Sequence, residues 1–126
     1  MRNVFLMATT ANSVAAAEGE KLEWVTLYPN FADVAEEEGF SEVAKTFRNV
    51  AKVEAYHERR YLKLLQNVTQ SKVFKKDTPI KWKCRNCGFV FEGSEVPDKC
   101  PVCSHPRSYF EVWCENYKSV FYPLFL

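Results

Sequence analysis

The residues best equipped for chemistry in this chain fall into two groups. Cys84, Cys87, Cys100 and Cys103 stand as two C-x-x-C pairs, "CRNCG" and "CPVC", with twelve residues between the pairs. Two tight turns of this kind bring four thiolates to the corners of a tetrahedron, a soft site that selects zinc or a single iron. The glycine and proline of the turns let the backbone approach sulfur. Cys114, alone in "EVWCENY", reads as a strand residue rather than a fifth ligand, and His105 in "CSHPRSYF" as a loop residue near the site. The second group is Glu20, Glu23, Glu54 and His57. Carboxylate oxygens with an imidazole nitrogen are the ligand set of non-haem iron or manganese, and Glu-x-x-His puts two of them on adjacent turns of one helix face.

The elements that must carry these groups change along the chain. From about Ala8 to Val68 there is one proline, Pro29, and the glycines Gly19 and Gly39, against Ala, Glu, Leu, Val and Lys, which is helical composition. In "EEEGFSEVAK", Gly39 can end one helix in the left-handed conformation and Ser41 can cap the next, which predicts an antiparallel helical hairpin. Apolar residues at three-and-four spacing, among them Leu27, Phe31 and Val34 on the first arm and Val43, Phe47 and Leu64 on the second, mark the faces that meet. Met7, Phe31, Phe47 and Tyr61 are expected in the core, and the Glu36-Glu37-Glu38 run at a solvated helix end.

Glu20 and Glu23 fall in the first stripe, and Glu54 and His57 fill a gap in the second. A carboxylate carried inward without partners costs several kcal/mol, so it neutralises or finds a cation and hydrogen bonds, and three carboxylates and an imidazole on two stripes need a shared explanation. Each pair lies about 17 residues from Gly39, and at a rise of roughly 1.5 Å per residue the pairs share one level of the hairpin. Tyr28 flanks the Glu20 stripe, where its hydroxyl either bonds a ligand carboxylate or the ring simply packs.

From Pro79 the texture changes to short alternating pieces such as "KWKCRNCGFVFEG", which read as small strands and turns. The expected organisation is a helical hairpin over 1–68, a polar linker over 69–78, a cysteine module over 79–117 and an apolar tail over 118–126. Seventeen basic and sixteen acidic residues leave a net charge of +1, so no electrostatic footprint points to nucleic acid or an anionic membrane. The opening "MRNVFLMATT" is too short for a secretory core and no run approaches a membrane span. With five cysteines, an odd number in metal-type spacing, a cytoplasmic chain is expected.

The run "AAEGEKLEWVTLYPNFADVAEEEGFSEVAKTFRNVAKVEAYHERRYLKLLQNV", followed by "KWKCRNCGFVFEGSEVPDKCPVCSHPRSYFEV", resembles the second half of rubrerythrin with its C-terminal rubredoxin-like domain. The resemblance implies a mainly α fold with a small β metal module: a ferritin-like hairpin, half of a four-helix bundle, then a rubredoxin-like four-cysteine domain. It implies that Glu20, Glu23, Glu54 and His57 are ligands of a non-haem di-iron site, that Tyr28 is the family tyrosine beside it, and that the four cysteines hold one iron, with zinc as the alternative. It further implies an NADH-linked peroxidase that reduces hydrogen peroxide with electrons from an upstream reductase.

The family carries an upstream helical pair with a further Glu and a further Glu-x-x-His, in whose place this chain has "MRNVFLMATT". One hairpin cannot cover both of its apolar faces, so a homodimer, or a partner chain supplying the absent helices, is expected to complete the site. Two other functions fit the same residues: a rubredoxin-like electron carrier, or a zinc-binding structural module whose metal-free hairpin serves dimerisation.

Overall fold

A computed structural model describes residues 2–117, with side chains from Leu6 onward, and the chain divides into two compact units, 1–72 and 73 to the end. The expected apolar tail 118–126 lies outside the described residues. Each unit has its own core.

The first unit is a helical hairpin. Its first arm is α1 (Arg2–Leu22), a π-helical segment (Glu23–Leu27) and α2 (Tyr28–Glu37), and its second is α3 (Ser41–Thr69). The junction residues Leu22, Leu27 and Tyr28 all keep right-handed helical angles, so the first arm runs on through the π segment. Pro29, at the start of α2, gives a physical reason for the wider turn. A proline ring inside a helix clashes with the carbonyl four residues earlier, here that of Val25, and a π turn relieves the crowding.

The arms reverse at Gly39, which holds φ +84°. Phe40 N–H donates to the Ala35 carbonyl at 2.8 Å and Gly39 N–H to that of Glu36 at 3.0 Å, the paired bonds that close a helix on a left-handed residue. Ser41 does not cap α3 as expected. Phe40 occupies the cap position without a side-chain bond, and the Ser41 hydroxyl instead donates to Glu36 Oε1 at 2.9 Å. Glu36 also takes Arg48 Nη1 at 2.9 Å, so the first residue of the acidic run clasps the two arms rather than ending as a free solvated charge.

The seam between the arms is made of small residues: Ala32, Ala35 and Ala44 are buried, with Phe47 packed against them. Alanine lets helices approach closely but covers little surface. Of the residues expected in the core, Phe31 is 46% exposed, Tyr61 37% and Met7 72%. Two helices share one line of contact, and an apolar stripe wider than that line remains uncovered within a single hairpin.

The second unit is a three-stranded antiparallel sheet, order β2-β1-β3, from β1 (Lys75–Cys84), β2 (Val90–Glu95) and β3 (Phe110–Val112). Trp82 on the central strand pairs with Phe91 on one side and Val112 on the other. Its ring is buried with Val96, Phe110, Cys84 and Cys100, and its indole N–H donates to the Gly93 carbonyl at 2.9 Å. The connection between units is shorter than the 69–78 predicted from composition. Residues 75–78 belong to β1, where Lys75 pairs with Glu95 and their side chains lie 3.6 Å apart. The register shifts between Lys75 and Ile80, which accommodates Pro79 in a central strand that otherwise needs every N–H. Among the described residues no helix is long and apolar enough to cross a membrane.

Candidate metal centres

The sulfur site is built from two turns that match bond for bond. In the first, Gly88 N–H donates to the Cys84 carbonyl at 2.9 Å and Cys84 N–H to that of Phe89 at 2.8 Å. In the second, Ser104 N–H donates to the Cys100 carbonyl at 2.9 Å and Cys100 N–H to that of His105 at 2.8 Å. Gly88 and Ser104 both take the left-handed conformation, at φ +81° and +60°. That fold of the backbone turns the next N–H onto sulfur, Phe89 toward Cys87 and His105 toward Cys103.

The four sulfurs lie within 4.8 Å of one another, with Cys84–Cys103 and Cys87–Cys100 both at 3.7 Å. A tetrahedron with metal–sulfur bonds of about 2.3 Å has edges of roughly 3.8 Å, which the two 3.7 Å pairs match, so the residues present fit a single tetrahedral ion. Two of the thiols are shifted in opposite directions. The Phe89 N–H favours the Cys87 thiolate, but burial and hydrogen bonds with the three other thiols outweigh it and push Cys87 up to about 12. The His105 N–H, by contrast, holds Cys103 below its ordinary value. A cation among the four sulfurs would favour the thiolate form against the effects that raise Cys87. His105 turns its Nδ1–H to the Cys103 carbonyl at 3.1 Å and packs its ring on Tyr109, so it buttresses the second turn. Cys114 follows β3 rather than lying in a strand, and is exposed outside the sulfur cluster.

The helical site draws on both arms. Glu20 stands in the last turn of α1, and Glu54 and His57 on successive turns of α3. Their ligand atoms lie within 4.8 Å of one another, with His57 Nδ1 2.6 Å from Glu54 Oε2 and 3.5 Å from Glu20 Oε2. The side chains of Glu20 and Glu54 are only 18% and 13% exposed, while that of His57 is 43% exposed. The site is therefore walled by carboxylates and open past the imidazole. Burial raises the Glu20 pKa, a hydrogen bond with Glu54 adds to this, and His57 opposes it. Two carboxylates and an imidazole at this spacing suit a hard or borderline cation that tolerates oxygen and nitrogen together.

Glu23 opens the π segment, half-buried and close enough to repel Glu20, but outside the group of three. Tyr28 packs its ring against Phe31 and Phe47, with centroids 6.0 and 6.1 Å away. Sequence reasoning missed the hydrogen bond from Trp24 Nε1 to Glu58 Oε2, 2.7 Å, between the π segment and α3. A tryptophan beside a candidate ligand was the available signal, but its partner is 34 residues away.

A family model described as rubrerythrin matches residues 3–65, half of the chain, and one described as the rubrerythrin rubredoxin-like domain matches residues 82–111. Rubrerythrin of Clostridium perfringens is 57% identical over 109 residues, covering 86% of this chain and 56% of that protein. Rubrerythrin of Porphyromonas gingivalis is 54% identical over 110 residues, covering 87% and 55%. A solved structure titled "Partially Reduced State of Nigerythrin" is 30% identical, with a TM-score of 0.46 over 82% of this chain and 48% of its own. The chain spans about half the length of these relatives. With one family model over the hairpin that brings Glu20, Glu54 and His57 together, and another over the four-cysteine unit, the chain belongs to the rubrerythrin family.

Proposed function

We propose that the chain is a non-haem iron protein in which Cys84, Cys87, Cys100 and Cys103 hold one iron, and Glu20, Glu23, Glu54 and His57 supply half of a di-iron site that reduces hydrogen peroxide. The observation that carries this reading is the convergence of Glu20, Glu54 and His57 from two helices within 4.8 Å. Bound there, iron would supply the two electrons that, with two protons, convert one peroxide to two waters, replenished one at a time through the four-thiolate centre. Membership of the rubrerythrin family favours iron over zinc or manganese at both places. The electrons come from an upstream NADH-linked reductase, and the chain works in the reducing cytoplasm, where four closely set thiols stay available to metal.

The protein's own residues prepare the site. Glu20 and Glu54 hold two carboxylates out of bulk water, while His57 lies with Nδ1 2.6 Å from Glu54 Oε2, at the open side of the site. The open side past His57 and the exposed apolar residues of both arms are surface that a further pair of helices would cover. A second copy of the chain, related by a two-fold axis, supplies them, each chain giving one carboxylate arm and one Glu-x-x-His arm. A different polypeptide carrying the same ligands is the alternative occupant.

The test is metal content with a visible spectrum on anaerobically purified protein. The reading expects a coloured ferric–thiolate band and about two irons per chain, one in each unit, and reoxidation of the reduced protein by peroxide. A second reading has an observation of its own, since the sulfur tetrahedron is complete within one chain and the Glu/His set is not. An electron carrier would show colour with about one iron per chain, and a structural zinc module no colour at all.

A further inference from the structure

Trp24 lies inside the π segment, next in sequence to Glu23, and its indole N–H donates to Glu58 on α3 at 2.7 Å. Glu58 directly follows His57 and lies one turn beyond Glu54. Both partners are half-buried. One hydrogen bond therefore ties the stretch that bears Glu20 and Glu23 to the stretch that bears Glu54 and His57.

A π turn is rarely stable by itself and persists where its surroundings over-determine it. Pro29 requires a relaxed turn upstream but does not fix its register. Sliding that turn by one residue would rotate a side chain by about 100° around the helix axis. Such a rotation would carry Glu23 and Trp24 away from α3. A short, half-buried bond between the two elements is an interaction that can hold the register.

We propose that Glu58 is a positioning residue: through the Trp24 indole it locks the π segment against α3, and so sets where the Glu20 and Glu23 carboxylates stand relative to Glu54 and His57. What is positioned rests on the metal-site reading above, whereas the locking of the segment does not.

Three variants of the full chain test this: Glu58→Ala, Trp24→Phe, and Glu58→Gln, which keeps an acceptor oxygen. Amide hydrogen exchange of residues 23–27 should quicken about tenfold in the first two and stay near wild type in the third. Anaerobic Fe(II) titration of the helical unit should weaken about tenfold in the same two and recover in Glu58→Gln, with the thiolate colour of the second unit unchanged as internal control. The double variant should lose no more than either single one. Unchanged exchange in both Glu58→Ala and Trp24→Phe overturns the lock. Faster exchange with undiminished Fe(II) affinity overturns the positioning role, as do additive losses in the double variant. If the wild-type hairpin takes up no iron, the proposed function fails, and the exchange comparison alone decides whether Glu58 locks the turn.

Discussion

The two units gather ligands over very different distances. In the second, each pair of sulfurs is set within six residues by the hydrogen bonds of its own turn, and Cys84 and Cys100 are themselves part of the core. The tetrahedron closes within one chain. In the first, Glu20 and Glu54 come from different helices 34 residues apart, the buried residues of the hairpin are alanines, and large apolar side chains along both arms are half exposed. The contrast teaches that a site made of local turns carries its own completeness, while one laid on helix faces is complete only when every face is present.

Removing a thiolate should break the self-sufficient unit outright. In Cys100→Ser we expect loss of the metal, whose binding is worth on the order of 10 kcal/mol in sites of this kind, and collapse of the near-ultraviolet dichroism of buried Trp82. The far-ultraviolet helical signal should survive, because the hairpin has its own core. Cys114→Ser, outside the cluster, should leave the colour untouched. Retention of metal by Cys100→Ser would mean that the sulfur site is not what holds this unit together.

On the helical side, Glu54→Ala and His57→Ala should each lower Fe(II) affinity more than about 100-fold while sparing the thiolate colour. Because burial first, and a hydrogen bond with Glu54 after it, raise the Glu20 pKa, a cation entering the site competes with a proton there, so iron uptake by the hairpin should weaken as pH falls and release acid where Glu20 is still protonated. Titration in weakly buffered solution would record the protons directly. Proton-independent uptake would place the metal elsewhere.

How much of this was legible beforehand follows the same division. The knuckles and the Gly39 reversal were readable because a few neighbouring residues determine them. Ser104 was not, since nothing in "CSHPR" advertises a left-handed residue, and only the match to Gly88 reveals it. The π segment escaped notice because Pro29 signals a disturbance without saying how the backbone absorbs it. Ser41 misled in the same way: a good capping residue at a helix start found a better partner in Glu36 across the turn. Met7, Phe31 and Tyr61 have the spacing of core residues, and periodicity shows that a face is apolar without showing what covers it.

Two smaller effects refine the picture of the hairpin. Tyr28→Phe preserves the ring contacts with Phe31 and Phe47, so iron content should be unchanged and stability should move by less than about 0.5 kcal/mol. Loss of iron would restore the hydroxyl to the site. The clasp at Glu36 should act through pH. Arg48 first, and the Ser41 hydroxyl after it, hold the Glu36 carboxyl below its ordinary value of 4.5. A depressed folded pKa stabilises above the unfolded value, and that stabilisation is lost as pH falls through the folded one. Thermal melts of wild type and Glu36→Gln should thus differ slightly near neutrality and converge in acid below 4.5. A gap that persists there would argue against the ionic origin of the clasp.

The claim that the helical site is shared meets its most direct test in sedimentation of the 126-residue chain during anaerobic Fe(II) titration. The account predicts a dimer whose formation tracks iron uptake by the hairpin, and whose uptake is abolished by Glu54→Ala or His57→Ala. A monomer that binds two irons through its helical unit, or a dimer whose iron uptake ignores both substitutions, would contradict it.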